Sequence, residues 1–598
     1  MASTLTLPKL PIFEAIASHN PQSTAVVHCL SRRTFKYGEL LPDVSRVRDR
    51  IIEASGKPDI RGERVAFLIE NSYDYVVTYL AVLAAHAIAL PLSPPFPAPE
   101  LQYILSHSQA ILLLHSPKYA AKVKEVLTTP SKELDVTPSP TPVELPKHLG
   151  AISETFESVT LLEDEDPEGA GMMLYTSGTT NRPKGVLLPE SALTAQAQAL
   201  IHAWKYTPSD RLLHVLPLHH IHGTVNAIYT PLLAGSSVEF LFPFNADTLW
   251  RRFANPFLDS PQVAAASPNE DKYKHLSRAK ITFFTVVPTV YTRLLSVHKT
   301  LPPAVAEAGR IAVSPDHMRV SISGSAALPT PVKRAWKDLS RGNVLLERYG
   351  MTEVGMALSC GLDYIDRVDG SVGWPLPGVE ARLFDNEANV VISDDDISAT
   401  SQDAEGAPRE RSGEIQLRGA NVFREYWANP VATAKEFVPA DDGRGAWFKT
   451  GDVAVRRPVP TSGTGVSGDW AQGPMYFILG RQSADIIKSG GEKVSALEVE
   501  RELLSLPEIS EAAVVAVPSG KWGQKVGAVI IHSADYLREN PVWQPLDMRR
   551  ALKGRLANYK IPQVLRVVEH IPRNAMGKIN KKNLLKEVFL DDFSGDEM

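Results

Sequence analysis

The chain has 598 residues, 44% of them hydrophobic and 22% charged, with a formal net charge of −5. That length exceeds one ordinary core, so at least two domains are expected, and the charge gives no reason to expect a nucleic acid or an anionic membrane as partner. Two cysteines, Cys29 and Cys360, are too few for a disulfide framework or a cysteine metal cluster and suit a reducing compartment.

The N-terminal stretch MASTLTLPKLPIFEAIASHN lacks a secretory charge-then-apolar pattern and has no arginine before Arg32. A cytoplasmic protein is therefore expected, with the scarcity of acids leaving a mitochondrial address open. From Thr24 to about Val126 short apolar runs alternate with helical segments. Strands are predicted at Arg64–Leu68 and Ala110–Leu114, helices from Tyr73 and over Lys118–Val126. Val76–Leu92 is too short for a bilayer span and carries His86 and Pro91, so it reads as a helix passing into a buried strand. Alternation of this kind predicts an open, mostly parallel α/β sheet. Thr128–Leu145, rich in proline, serine and threonine, reads as a surface linker, and Glu163–Asp166 as a solvated face.

The apolar run Met172–Tyr175 predicts a buried strand emptying into a loop with four hydroxyls, Thr176, Ser177, Thr179 and Thr180, together with Gly178 and then Arg182-Pro183-Lys184-Gly185. Small residues admit an anion close to backbone N–H groups, hydroxyls add donors, and a lysine supplies a point charge. This is the chemistry of a polyphosphate loop, although the glycine-lysine-hydroxyl order of a Walker loop is missing and a solvated turn is the plain alternative.

A second α/β stretch is predicted from Ser191 to about Leu358, with strands at Leu212–Leu216, Ile281–Val287 and Arg319–Ile322 and a helix at Val290–Val297. After Gly370 short β-like pieces follow: Val379–Leu383, Glu414–Leu417, Trp447–Thr450 and Met475–Leu479. Asp394–Arg411 and Arg457–Gly473 read as mobile insertions unconnected with chemistry. Beyond Arg481 the pattern resets, with helices at Ala496–Leu506 and Met548–Ala557 and strands at Glu511–Val517 and Val526–His532. The expected division is a domain over 1–480 and a second over 481–598.

Four further stretches test the phosphate reading. Ser323-Gly324-Ser325-Ala326-Ala327, directly after a strand, suits a flat ligand against backbone, or simply a tight strand-to-helix turn. Glu347-Arg348-Tyr349-Gly350-Met351-Thr352-Glu353 offers a ring, a hydroxyl and a carboxylate that together could hold a base, a phosphate and a magnesium ion. In Trp447–Asp452 with Gly480-Arg481, a carboxylate and an arginine suit a ribose diol, or are a turn aspartate and a surface arginine. Pro572–Lys578 is a basic tail segment, or a loop that delivers Lys578 to a site built elsewhere.

YTSGTTNRPKG, ERYGMTE, FKTGD, GRQSADIIKSGGEKVSALEVE and PRNAMGKI together resemble the adenylate-forming superfamily of acyl-CoA synthetases, luciferases and peptide-synthetase adenylation domains. The resemblance runs in the family's order and spacing over roughly Thr24–Lys586. LPLHHIHGTVNAIYTPLLAGSSVEF, VVPTVYTRLL, SGSAALP and VFREYW are similar to the malonyl-CoA and methylmalonyl-CoA synthetase branch. The implied fold is α/β: a large N-terminal domain of α/β sheets plus a β-rich subdomain, and a small mobile α+β C-terminal domain.

The implied reaction has two halves, with ATP, CoA and Mg2+ as cofactors. A carboxylate attacks the α-phosphate of ATP to give an acyl-adenylate, and CoA then displaces AMP. By motif, Thr176, Ser177, Gly178, Thr179, Thr180 and Lys184 embrace the β- and γ-phosphates. Thr352 touches the α-phosphate and Glu353 ligates magnesium. Tyr349 with Ser323, Gly324, Ser325 and Ala326 borders the adenine, Asp452 and Arg481 hold the ribose, and Lys578 bridges the attacking carboxylate and the α-phosphate. In the second half the C-terminal domain rotates and presents Ser489, Gly490 and Gly491 beside the pantetheine arm.

Two departures from the family are Asn181, where glycine is usual, and Ser483, where the hinge is commonly Asp or Lys. Asparagine tolerates a left-handed backbone, and a small hydroxyl residue can absorb a rotation. A dicarboxylic substrate leaves one carboxylate in the pocket, which needs a cation or several donors. The candidates for the acid are His220, His222, Arg293 and Met351. The expected enzyme is a malonate-type acyl-CoA synthetase. The alternatives are a synthetase for a medium-chain or aromatic acid, an adenylation enzyme loading a carrier protein in trans, and a non-catalytic nucleotide-binding relative.

Overall fold

The computed structural model describes residues 5–130, 139–150, 155–163, 168–176, 182–258, 276–398, 401–402, 408–440, 442–490, 492–519, 523–533, 536, 543–573 and 579–589. In its first sheet, parallel strands Gly171–Thr176, Ile88–Pro91, Arg64–Leu68, Leu112–His115 and Thr141–Glu144 lie side by side in that order. Lys184–Pro189 returns antiparallel against Gly171–Thr176, and the short Glu425–Tyr426 closes that edge. The runs IALP and LLLH are buried along their whole length. Strands covered on both faces read as continuous apolar runs for this reason. Helix Tyr73–Ala84 is buried at every position, which is why its sequence shows no polar stripe.

The second sheet has the order Trp374–Pro375, Gly355–Ser359, Leu346–Met351, Val320–Ser323, Phe283–Val286, Arg211–His214, Ser237–Phe240, Thr24–His28, Thr34–Lys36. All pairings from Leu346–Met351 through Thr24–His28 are parallel. Their carboxyl ends therefore open on one edge, the edge where ligands of open α/β sheets bind. An antiparallel sheet follows, in which Val390–Val391, Val379–Asp385, Gly413–Gly419 and Trp447–Arg457 are successive neighbours. Phe437–Val438 and Met475–Arg481 both add to Trp447–Arg457.

The last sheet joins Glu492–Ser495, Ile486–Ser489, Gly523–His532 and Ile509–Ser519, with Val564–Val567 parallel to Gly523–His532. Side chains alternate across its long strands. Val514 joins an apolar cluster with Val499 and Met548, while Val515 joins another with Leu584 and Phe589.

Three expectations change. The stretch predicted as a linker, Thr128–Leu145, contains strand Thr141–Glu144, which Thr141 N–H to Ile111 O (3.0 Å) and Leu145 N–H to His115 O (2.9 Å) attach to the first sheet. An edge strand tolerates a proline such as Pro142, so the composition resembled a loop. Arg457–Gly473, predicted as a mobile insertion, is pinned: Ser467 Oγ donates to Asp366 Oδ2 at 2.6 Å, Trp374 Nε1 to Gly473 O at 2.9 Å, and Ala471 is fully buried. The helix predicted to Ala557 spans Pro545–Leu552, and Gly554 with φ +84° turns the chain away.

Candidate active site

Strands Phe283–Val286, Val320–Ser323 and Leu346–Met351 end together on the open edge of the second sheet. The chain leaves the middle one through Ser323, Gly324, Ser325 and Ala326. Gly324 is required there by space, since a Cβ on it would stand 2.4 Å from Arg348 Nε. Ser325 takes a left-handed φ of 66°, and it and Ala326 are exposed on the edge. Ser323 is buried, and its Oγ has no partner among the described residues.

Strand Leu346–Met351 carries the next residues. Tyr349 OH donates to Asp452 Oδ2 at 2.6 Å, and Arg481 Nε donates to Asp452 Oδ1 at 3.0 Å. Asp452 and Arg481 face each other across adjacent strands of the third sheet, so backbone register fixes the pair. Burial lowers Arg481, but the Asp452 carboxylate outweighs it and holds the guanidinium above its ordinary range. Past the strand the chain turns through Met351, Thr352, Glu353 and Gly355. Gly350 has no room for a side chain, because its Cβ would lie 2.0 Å from Gly355 O. Met351 and Thr352 are half-buried.

Glu353 is 6% exposed, and Oε1 accepts from Tyr426 OH at 2.9 Å. Burial raises its carboxyl above the usual range, against the pull of the Tyr426 hydroxyl and of Arg481. Lys184 Nζ sits 4.4 Å over the Tyr426 ring, with Thr176 opposite Lys184 across the hairpin. One aromatic side chain therefore links the foot of the predicted phosphate loop to the predicted magnesium ligand. The loop residues Ser177, Gly178, Thr179, Thr180 and Asn181 lie outside the described residues. Helix Ala98–Ser108 holds the feet of that loop: His107 Nδ1 meets Tyr175 OH at 2.8 Å, Tyr103 OH donates to Pro183 O at 3.0 Å, and Arg182 lies 5.0 Å over the Tyr103 ring.

The residues predicted for the acid differ in exposure and partners. His222 opens the π-helical segment His222–Tyr229 and is buried; Arg348 Nη2 donates to its Nδ1 at 2.8 Å. A guanidinium can only donate, so Nδ1 is the acceptor and the ring proton is on Nε2, where it meets Thr285 Oγ1 at 2.6 Å. Burial first, then Arg348, His214 and His220, push His222 well below its ordinary value, so the ring is neutral. His220 is half-buried and stacks obliquely on His219, their centroids 4.1 Å apart. Arg293 is exposed on helix Pro288–His298, 5.9 Å from the Phe244 ring, with no ion pair among the described residues.

The residue that sequence reasoning passed over is Arg348. It is 3% exposed, and burial pushes its guanidinium down to about 9. Nη2 also reaches Ser325 Oγ at 3.2 Å, while Nε and Nη1 have no partner among the described residues. Its place inside ERYGMTE was visible, but nothing local marks that charge as buried.

In the C-terminal unit Ser489 is buried and Gly490, at φ 58°, turns the hairpin of Ile486–Ser489 and Glu492–Ser495. Gly491 and Lys578 lie outside the described residues. Three positions after Lys578, Lys581 is half-buried, and its Nζ lies 2.6 Å from Asp485 and 2.7 Å from Glu500. Ser483 is exposed in the turn that Asp485 closes by accepting from Arg481 N at 3.0 Å.

Residues 13–427 match the model of the AMP-binding enzyme family and residues 498–578 that of the AMP-binding enzyme C-terminal domain. The chain is 55% identical to a CoA ligase of Gibberella moniliformis over 589 residues, 98% of this chain and 96% of that one. It is 38% identical to the mitochondrial malonate–CoA ligase ACSF3 of Homo sapiens over 560 residues, 92% and 88% of the two chains. Superposed on ATP-bound MatB from Rhodopseudomonas palustris, it gives a TM-score of 0.72 at 29% identity, covering 96% and 98%. On a malonyl-CoA ligase holding methylmalonyl-CoA and AMP the score is 0.55 at 30% identity, covering 94% and 100%. The large N-terminal α/β domain, the β-rich part and the small C-terminal domain thus form an acyl-CoA synthetase-like fold, and the chain belongs to the AMP-binding enzyme family.

Proposed function

We propose that this chain is a malonate–CoA ligase: malonate, ATP and CoA give malonyl-CoA, AMP and diphosphate through a malonyl-adenylate. Relatives named as malonate–CoA ligases support the substrate class. The observation that carries the choice of acid is Arg348. A buried guanidinium without a carboxylate partner is costly, and the cost is met when an anion arrives. The unmet Nε and Nη1 and the neutral His222 beside them suit the carboxylate of a short diacid that does not react. A fatty acyl chain would leave that charge buried and unanswered.

In the first half-reaction one malonate oxygen bonds to the α-phosphorus as the bond to the bridging oxygen of diphosphate breaks. Little covalent work falls to the protein, so catalysis is positioning and charge stabilisation. The proposed roles follow the chain's own donors. Lys184 and the loop begun by Thr176 hold the departing diphosphate, and Thr352 donates to the α-phosphate. Asp452 and Arg481 fix the ribose, with Tyr349 and the Ser323–Ala326 turn against the base. Lys578 balances the charge that gathers on the α-phosphate oxygens. In the second half the CoA thiolate attacks the acyl carbon and AMP leaves with the bonding electrons, and Ser489, Gly490 and Gly491 border the pantetheine.

Glu353 suits a magnesium ion: its buried carboxyl is a hard oxygen donor raised by burial, with a phenol as its hydrogen-bond partner. Magnesium accepts one protein carboxylate when phosphate oxygens and waters complete the shell, and there it would neutralise phosphate charge. Domains of 1–480 and 481–598, pivoting near Ser483, belong to the same proposal. So does a cytoplasmic location, which cell fractionation would check; the human relative is named as mitochondrial.

The test is a pyrophosphate-exchange panel of acids on the full chain. Malonate and methylmalonate are expected to exceed acetate and octanoate clearly. Parity among the four would show that the diacid assignment is wrong.

A further inference from the structure

Glu347 precedes Arg348 and, by strand alternation, faces away from His222. It is buried, and its Oε1 accepts from Lys333 Nζ at 2.7 Å and from Gly370 N at 3.2 Å. Lys333 comes from helix Thr330–Leu339 of the large domain. A second cation reaches the same place from the other side of the Arg481–Asp485 turn. Arg501, on helix Ala496–Leu504 of the C-terminal unit, lies so close to Gly370 that a Cβ there would be 2.0 Å from its Nη1 and 2.7 Å from its Cζ. Gly370 therefore forms a socket that a side chain would close. Burial raises the Glu347 carboxyl, and Lys333 and Arg501 both oppose that rise. The two helices touch at this point.

A second contact lies on the same unit's hairpin. Glu387, between strands Val379–Asp385 and Val390–Val391, meets Lys493 at 2.9 Å and Lys488 at 3.4 Å. Those groups are largely exposed, and exposed pairs contribute little. The socket at Glu347 and Gly370 is the more buried of the two. The whole chain superposes better on the ATP-bound relative than on the complex with methylmalonyl-CoA and AMP, although identity and coverage are nearly equal.

We propose that Arg501 is a positioning residue that docks the C-terminal unit against Glu347 and Gly370 in the arrangement used for adenylate formation. The dock releases before the thioester step. This rests on the two-step reading above and adds the residue that selects between its steps. Arg501 touches no reacting atom in this scheme. Its effect passes through the placement of the unit that carries Lys578.

The experiment compares wild type with Arg501→Ala and Arg501→Lys. Malonate-dependent pyrophosphate exchange reads the first step. Thioester formation from supplied malonyl-adenylate and CoA reads the second. A coupling of this kind is worth about 5- to 150-fold, so exchange is expected to fall about tenfold or more in Arg501→Ala. The thioester step is expected to hold or rise, and Arg501→Lys to recover part of the exchange. Equal losses in both steps, or unchanged exchange, would overturn the docking role. Small-angle scattering of the ligand-free proteins reads the dock without any acid: Arg501→Ala is expected to expand the particle, and an unchanged profile counts against the proposal. Wild-type exchange absent with every acid would instead defeat the functional reading, and the scattering result would still judge the dock.

Discussion

Replacing Arg348 by methionine keeps the reach of the side chain and removes its charge. Without ligand, Nη2 donates to His222 and Ser325, while Nε and Nη1 are unmet among the described residues. Each unmet buried donor costs about 1–3 kcal/mol, so Nε and Nη1 together cost about 2–6 kcal/mol, and the lost charge-assisted bond to His222 returns about 1.5–3 kcal/mol of that. The variant is therefore expected to unfold in urea no earlier than wild type. Bound malonate reverses the sign. Removing one side of a buried charge pair costs about 3–5 kcal/mol, which at about 1.4 kcal/mol per decade is a loss of about two to three and a half decades in kcat/KM. Acetate has no second carboxylate and escapes that loss. The decisive quantity is the ratio of malonate to acetate activity in pyrophosphate exchange, expected to fall about 100-fold or more in Arg348→Met. Equal losses for both acids would refute the reasoning, as would a variant destabilised by more than about 1 kcal/mol.

Lys578→Ala is expected to abolish adenylate formation while sparing ATP binding and thioester formation from supplied acyl-adenylate; full adenylation by this variant would sink the assigned role. Asp452→Asn weakens charge-assisted bonds to Tyr349 and Arg481, worth about 1.5–3 kcal/mol. The KM for ATP is expected to rise about 10- to 100-fold with the KM for malonate steady, and titrating ATP at fixed malonate checks this. The pair of His148 Nδ1 and Asp74 Oδ1, 2.9 Å apart, gives stability a pH dependence. Burial lowers His148, but the Asp74 hydrogen bond and the charges of Asp43 and Asp74 outweigh burial and Arg46, so the folded value is raised. The pair's contribution is full below the ordinary histidine value of about 6.5 and is lost as pH rises through the raised one. Urea midpoints are expected to fall more steeply above neutral pH in wild type than in His148→Gln, and parallel curves would contradict it.

Much of the first two sheets was legible because burial on both faces writes itself into sequence as unbroken apolar runs. Strand Arg64–Leu68 and the start of helix Tyr73–Ala84 stand where the pattern put them. The third sheet was legible only in fragments. Trp447–Arg457 runs eleven residues, yet the pattern breaks at Gly451. That residue has φ +71°, a backbone that marks a turn in sequence and here is absorbed within the strand. Thr141–Glu144 was hidden for the opposite reason, since an edge strand needs only backbone partners and leaves no apolar signature.

The site divides along a similar line. Residues proposed to hold phosphate and sugar sit in runs whose spacing is local, so motifs pick them out. The proposed acid pocket joins His222 to Arg348 across 126 residues of chain, and no local pattern announces that pairing. Arg293 stands out in sequence as an arginine in an apolar helix and is exposed there, whereas Arg348 sits in a stretch that its neighbours already account for. Strand alternation resolves the matter physically. Glu347 and Tyr349 face one way, toward Lys333 and Asp452, and Arg348 faces the other, toward His222 and Thr285. In the proposed scheme a single strand thus serves the domain dock, the acid and the ribose. A one-residue slip in its register would exchange those faces, and Gly324 and Gly350 beside the Arg348 side chain and the Gly355 carbonyl leave no room for a side chain of their own.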